Sequence, residues 1–218
     1  MPRRADLNDH HQELLRREHE LRLEGYRSIA GTDEAGAGPL AGPLVAAAVV
    51  LRSGAGLVGV DDSKRLTVRQ RELLAETIRE RAVSWAVAVV PAAEVDAVGP
   101  LVAAVRGMTR AVLALSPPAD FVLIDARRLP DVPIPQQAVV GGDRRHLCIA
   151  AASILAKVHR DELMLDIDAR YPGYGFAQHK GYGTSDHLAA LASLGPSPEH
   201  RRRYAPVRDL LGETPRLF

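Results

Sequence analysis

The chain has 218 residues, 46% of them hydrophobic and 25% charged, with a formal net charge of +1 at neutral pH. That length suits one domain with a sizeable core, or one domain with a small appendage, and so balanced a charge does not by itself point to a polyanionic partner. The single cysteine, Cys148, excludes an intramolecular disulfide and a cysteine-based zinc cage, and no apolar run is long enough to span a bilayer.

Met1-Pro2-Arg3-Arg4 leads into polar sequence without the apolar core of a signal peptide, so a cytoplasmic protein is expected. Residues 1 to about 25 are charge-rich, with Leu14, Leu15, Leu21 and Leu23 as their main apolar points, and predict a helix on the edge of the domain with a frayed start. Residues 26–33 read as a first strand and Leu44–Leu51 as a second, Val45, Val49 and Val50 favouring the extended form. A turn follows at 54–59, then the acidic Asp61-Asp62. From Thr67 the pattern becomes helical: Gln70 completes a capping box, and Leu73, Leu74 and Ile78 fall at helical spacing. Residues 85–90 form a third strand, and one or two helices interrupted at Gly99-Pro100 fill 91 to about 114. Residues 121–124 are a short buried strand ending at Asp125, and 138–140 another.

The strongest helical pattern runs from 147 to about 171, where Ile149, Ile154, Leu155, Val158, Leu163 and Ile167 make an apolar stripe and alanines allow close packing. A glycine-rich loop over 171–183 and a short helix over 186 to about 194 precede the basic run His200-Arg201-Arg202-Arg203. Strands joined first by a tight turn and then interleaved with helices predict an α/β fold, a mixed sheet flanked by helices.

The chemistry starts at Asp33-Glu34, two carboxylates at the end of an apolar run, followed by the turn Gly36-Ala37-Gly38-Pro39. Neighbours in a regular strand face opposite ways, so the chain must bend for both acids to serve one site, and the glycines permit that. Carboxylates are natural ligands of Mg²⁺ or Mn²⁺, and an acidic pair between apolar runs is how a metal-dependent phosphodiester site begins. Asp125, after its strand, and Asp143, ahead of the long helix, are further candidates, although on local grounds one reads equally as a turn former and the other as a helix-entry residue. Ser153 and Lys157 lie at i and i+4 on one helix face. Arg144-Arg145 and the run at 200–203 are local basic patches that either meet phosphates or are solvated surface.

Five motifs recur in order: Asp33-Glu34-Ala35-Gly36-Ala37-Gly38-Pro39, Asp62-Ser63-Lys64, the strand ending in Asp125, Asp143 followed by Ala151-Ala152-Ser153-Ile154-Leu155-Ala156-Lys157, and His179-Lys180-Gly181-Tyr182-Gly183-Thr184. Together they closely resemble ribonuclease HII, the type 2 ribonuclease H family, over roughly residues 26 to 190. The resemblance implies a ribonuclease H-like fold: a mixed β-sheet flanked by helices, with an N-terminal helical extension over 1–25, a catalytic domain over 26–218 and a C-terminal helical portion from about 172. It implies a metal-dependent endonuclease, using Mn²⁺ or Mg²⁺, that acts as a monomer on the RNA strand of RNA–DNA hybrids and on single ribonucleotides embedded in duplex DNA, as in ribonucleotide excision repair. The expected products carry 5′-phosphate and 3′-hydroxyl ends.

By that resemblance Asp33, Glu34, Asp125 and Asp143 are the catalytic metal-site acids. Gly36, Ala37, Gly38, Lys64, Arg145, Ser153, Lys157 and Tyr182 are contacts to nucleic acid. The chain departs from the family pattern at Ala37, where the family has arginine, and at Ala126 and Gly141, where it usually has glycine and lysine. Loss of the arginine removes a charged, planar donor set, and reduced affinity or activity is expected. Two other readings stay open: a non-catalytic hybrid-binding relative, against which the presence of all four acids argues, and a nucleotide-dependent oxidoreductase, for which the glycine spacing is wrong and Pro43 obstructs the helix.

Overall fold

Every residue of the strand Leu44–Leu51 (β2) is buried, as an unbroken run of leucine, valine and alanine requires of a strand covered on both faces. β2 belongs to a five-stranded sheet in the computed structural model, which describes residues 4–57, 59–60, 63 and 66–212, with side chains from residue 11 onward. Asp61, Asp62 and Lys64 lie outside the described residues.

β1 (Ile29–Ala35) runs antiparallel to β2 and parallel to β4 (Phe121–Asp125). β3 (Ala82–Val90) lies antiparallel on the far side of β2, and β5 (Gln136–Val139) parallel to β4, giving the order β3-β2-β1-β4-β5. The mixed sheet expected from the sequence is thus the one observed. The turn between β1 and β2 is too short for a crossover, so that pair is antiparallel, and the return to β4 through helices is parallel.

Strand alternation divides the core in two. Val45, Ala47, Val49 and Leu51 point to the face covered by α1 (Arg4–Leu23), α2 (Val68–Arg81) and α5 (Leu147–Arg170). Ala46, Ala48 and Val50 point to the face covered by α3 (Ala92–Val98) and α4 (Pro100–Leu113). The Thr67–Gln70 capping box opens α2 as the sequence predicts. Leu73, counted there among the apolar positions, is 64% exposed, and Ala75 and Ile78 make the buried contact instead.

α1 is tied to the body of the protein. Leu14 and Leu21 are buried, and so is Glu18, whose Oε1 accepts a hydrogen bond of 3.0 Å from the Cys148 N–H in the first turn of α5. A carboxylate there satisfies an N–H that the helix itself leaves unpaired. Burial raises the Glu18 carboxyl, against that hydrogen bond. α5 itself lies hard against β1: a Cβ at Gly31 would fall 2.1 Å from the Cys148 carbonyl carbon. Only glycine permits that approach, which brings the first turns of α5 close beneath β1.

Beyond α5 come α6 (Phe176–His179), α7 (Ser185–Leu194) and α8 (Ala205–Leu210). α6 and α8 are too short to show helical periodicity in sequence. Between α7 and α8 the chain returns to the β1–β2 turn: Ala41 pairs with His200, and the Arg201 N–H donates to the Leu40 carbonyl at 2.8 Å.

Candidate active site

The last paired residues of β1 and β4 are Thr32 and Ile124, and immediately beyond them on these adjacent strands stand Asp33 and Asp125. Sheet register alone brings together two acids far apart in sequence. Asp33 is buried, and its Oδ1 accepts a 2.7 Å hydrogen bond from the Glu34 N–H. Burial, with like charge from Glu34 and Asp125, pushes the Asp33 carboxyl well above the usual carboxylate range; a hydrogen bond from Ser153 on α5 opposes this. The Ser153 hydroxyl also lies 3.1 Å from that of Ser63.

Asp125 reaches from the end of β4 towards the turn that precedes α5. Its Oδ1 accepts from the Gly142 N–H at 2.7 Å, which ties the end of β4 to the 3₁₀ turn Gly142–Arg144 that carries Asp143. Asp143 is buried at 7% exposure, one residue from that amide. The structure therefore brings Glu34 and Asp125 each close enough to raise the Asp33 carboxyl, and sets Asp143 on the turn that Asp125 holds. Among the described residues no three His, Cys, Asp or Glu side chains already close into a metal cage. The donor set nevertheless suits a hard divalent cation: oxygen ligands only, converging at strand ends, with repulsion that such a charge would cancel.

Lys157, one turn beyond Ser153 on α5, is paired with Asp161 at 2.6 Å, and its burial lowers its ammonium against that pairing. Arg145, at the end of the 3₁₀ turn, is exposed. Tyr182 is 45% exposed on a loop whose backbone is fixed at several points.

The sequence does not disclose what holds the Gly36-Ala37-Gly38 turn. Arg201 is wholly buried, and its guanidinium donates to the carbonyls of Gly36 (2.7 Å), Ala37 (3.0 Å), Pro39 (2.9 Å) and Gly42 (2.8 Å). Tyr204 adds a 2.6 Å hydrogen bond from its hydroxyl to the Ala37 carbonyl. Arg201, expected in a patch facing solvent or phosphates, is instead a structural clamp, because the turn offers it more acceptors than any surface position would. Arg160 is also buried, donating to the carbonyls of Pro43 (2.9 Å) and Lys180 (3.0 Å). Its guanidinium carbon lies 5.9 Å from the centre of the Tyr182 ring. At Gly36, where φ is +96°, a Cβ would sit 2.1 Å from Arg160 Nε, so this position takes only glycine. The one sequence signal for Arg160 is its spacing: seven residues past Ser153, it shares that face of α5.

Two histidines, His187 and His200, brace the Tyr182 loop. Ser197 N–H donates to His200 Nδ1 at 2.9 Å, so the His200 proton is on Nε2, which donates to His187 Nε2 at 3.1 Å. His187 Nδ1 in turn donates to the Tyr182 carbonyl at 2.9 Å. His200, expected to be solvated, is 5% exposed. Burial, aided by His187, lowers it to about 4 from an ordinary 6.5. Its folded value is depressed, so the unfolded chain binds the extra proton between those limits. Stability is full above pH 6.5 and falls as pH drops towards 4, by up to about 3 kcal/mol at the end of that window. Urea unfolding of the wild type and of His200→Gln at pH 7.0 and 4.5 checks this: the variant is expected to lose much of the pH dependence.

The ribonuclease H2 from Pyrococcus horikoshii OT3 superposes with a TM-score of 0.70 at 25% identity, over 84% of this chain and 97% of that one. Bst-RNase HIII in complex with Mn²⁺ shares the fold, with a TM-score of 0.67 at 21% identity, over 85% of this chain and 69% of that one. A ribonuclease H-like sheet with acids at the ends of its central strands defines a metal-dependent endoribonuclease. The model of the family Ribonuclease HII matches residues 30–207, and the Ribonuclease HII of Geobacillus kaustophilus (strain HTA426) is 50% identical over 215 residues, 99% of this chain and 82% of that protein. The chain belongs to the ribonuclease HII family, whose activity is endonucleolytic cleavage of the RNA strand of RNA–DNA hybrids.

Proposed function

We propose that the protein also cuts at single ribonucleotides embedded in duplex DNA, leaving 5′-phosphate and 3′-hydroxyl ends, with Asp33, Glu34, Asp125 and Asp143 holding two Mg²⁺ or Mn²⁺ ions. Those ions, when bound, supply charge neutralisation at the attacking and leaving oxygens of an in-line displacement. The observation that carries the reading is the direction of the peptides in the turn beside the acids. Arg201 draws in the carbonyls of Gly36 and Ala37. In a trans peptide the N–H points opposite to the carbonyl, so the N–H groups of Ala37 and Gly38 face away from the clamp. Such main-chain donors can read a 2′-hydroxyl, the group that tells RNA from DNA, without a side chain. Tyr182 offers an exposed ring to the sugar next to the ribonucleotide, Ser153 steadies Asp33, and Lys64, Lys157 and Arg145 supply positive charge along the backbone. The protein acts as a monomer in the cytoplasm.

Cleavage of a duplex with one embedded ribonucleotide, with and without added Mg²⁺ or Mn²⁺, tests this; no cut at the ribonucleotide in either metal would overturn it. Ala37→Arg tests the departure from the family. Ala37 is half-buried, packed against the core on the α4 side of the sheet and followed by the exposed Gly38. A regained charge-assisted phosphate contact of roughly 1.5–3 kcal/mol is expected to tighten substrate binding by about one to two decades. An unchanged KM on that duplex would count against the role given to this position.

A further inference from the structure

Between α1 and the strand-to-helix junction that carries Asp143 lies a cleft of ≈ 700 Å³, within the size range of small-ligand pockets. Arg16 and Arg17 line it from α1, and Arg144, Arg145 and His146 from the opposite wall, against Glu13 and Glu20. Positive charge therefore exceeds negative in a concave site. Arg17 is committed to its wall: it donates to Gln137 at 2.9 Å and Glu24 at 2.9 Å and pairs with Glu20 at 3.1 Å. Arg16 reaches Glu20 at 3.4 Å with its side chain 79% exposed, a surface pair that contributes little and exchanges readily. Arg145 is exposed on the facing wall. His146 is buried, and its Nδ1 has no hydrogen-bond partner. Burial, with Arg145 and Arg17 adding positive charge, holds its ring below the usual imidazole range, as expected of a histidine in a cationic cleft. The wall formed by α1 is fixed in place by Glu18, buried against the start of α5.

We propose that this cleft is a phosphate subsite, separate from the acids that do the chemistry, in which Arg16 and Arg145 close from opposite walls on a phosphate of the bound nucleic-acid strand. The assignment rests on the reading that a duplex is the substrate. Guanidinium groups match phosphate oxygens with paired donors, and Glu20 keeps Arg17 when Arg16 turns to the ligand. Arg145 follows Asp143 by two residues, so the cleft adjoins the turn that carries the last of the four acids. Free nucleotides carry the same phosphate chemistry, and the test separates the two sources.

The test uses the full chain in three forms: wild type, R16A/R145A, and a control R106A/R110A on α4, across the sheet from the cleft. Duplex binding is measured by fluorescence anisotropy in EDTA over a range of salt, cleavage at saturating duplex in Mn²⁺, and the His146 ring by NMR. R16A/R145A is expected to bind the duplex roughly tenfold more weakly, with a shallower salt dependence by about one to two phosphate contacts. Duplex added without metal should shift the His146 ring in the wild type. Affinity and salt slope equal to those of R106A/R110A would overturn the proposal. So would a saturable shift of His146 with AMP or inorganic phosphate while duplex affinity is unchanged, which would assign the cleft to a free nucleotide. Because binding is read without metal, failure of the subsite shows even if cleavage fails, and failed cleavage with an intact binding difference refutes only the catalytic reading.

Discussion

Asp33→Asn is expected to abolish cleavage while making the metal-free protein more resistant to heat. The substitution keeps the shape of the side chain, and the amide oxygen can still accept the Glu34 N–H. What it removes is one negative charge from a buried position already crowded by Glu34 and Asp125. In EDTA that charge is a liability, because nothing cancels the repulsion, so its removal should raise the melting temperature. In the presence of Mg²⁺ or Mn²⁺ the balance reverses: the wild type gains stability from the bound cation, and the variant gains much less. Loss of a ligand that helps stabilise transition-state charge is worth several kcal/mol, and the rate should fall by about a thousandfold or more. Melting curves with and without metal, beside cleavage of a hybrid duplex, give both readings. A variant that is inactive and also less stable in EDTA would make Asp33 a structural residue and remove the basis for the site.

The opposed effects follow from how the acids are placed, and that placement was only partly legible in the sequence. Leu44–Leu51 could be read as a buried strand because eight apolar residues in a row have few other uses. The long helix α5 and the capping box of α2 were legible because their signals are local and periodic. That Asp33 and Asp125 come together follows from the pairing of Thr32 with Ile124, a long-range fact that no local pattern carries; the family motifs pointed to it, and the register explains it. Charge runs misled for a physical reason. Arginine is ordinarily solvated, so Arg201 within His200-Arg201-Arg202-Arg203 read as surface. Its burial depends on carbonyls of Gly36, Ala37, Pro39 and Gly42, more than a hundred and fifty residues earlier. The same holds for His200, whose neutral partner His187 sits on α7.

These buried groups connect substrate reading to the C-terminal part of the chain. Arg160 joins the β1–β2 turn to the Lys180 carbonyl beside Tyr182, and the histidines hold the Tyr182 carbonyl from the other side. The turn and the ring proposed to read the 2′-hydroxyl and the neighbouring sugar are therefore both braced by buried hydrogen bonds.

Arg201→Ala should accordingly damage both stability and substrate reading. The carbonyls of Gly36, Pro39 and Gly42 would lose a charged donor inside the protein, while that of Ala37 keeps the Tyr204 hydroxyl; each unsatisfied acceptor costs about 1–3 kcal/mol, partly offset because the buried guanidinium no longer has to be desolvated. A net loss of about 3 kcal/mol or more follows, which for a chain of this length lowers the melting temperature by roughly 10 °C. Arg201→Lys should recover little, since one ammonium cannot reach the separate acceptors that a planar fork serves. The carbonyl of Gly36 would be free to turn, and with it the N–H of Ala37, while the Ala37 carbonyl and the Gly38 N–H would be held by Tyr204 alone. At a temperature where the variant remains folded, activity on a single embedded ribonucleotide should fall by about ten- to a hundredfold, since small misplacements of this kind are costly. The stabilisation by Mn²⁺ should persist, because Asp33, Glu34, Asp125 and Asp143 are held by β1, β4 and the 3₁₀ turn rather than by this clamp. If Arg201→Ala instead lost its response to Mn²⁺ while discriminating ribonucleotides as the wild type does, the clamp would support the acids and not the turn, and the assignment of 2′-hydroxyl reading to Ala37 and Gly38 would fail.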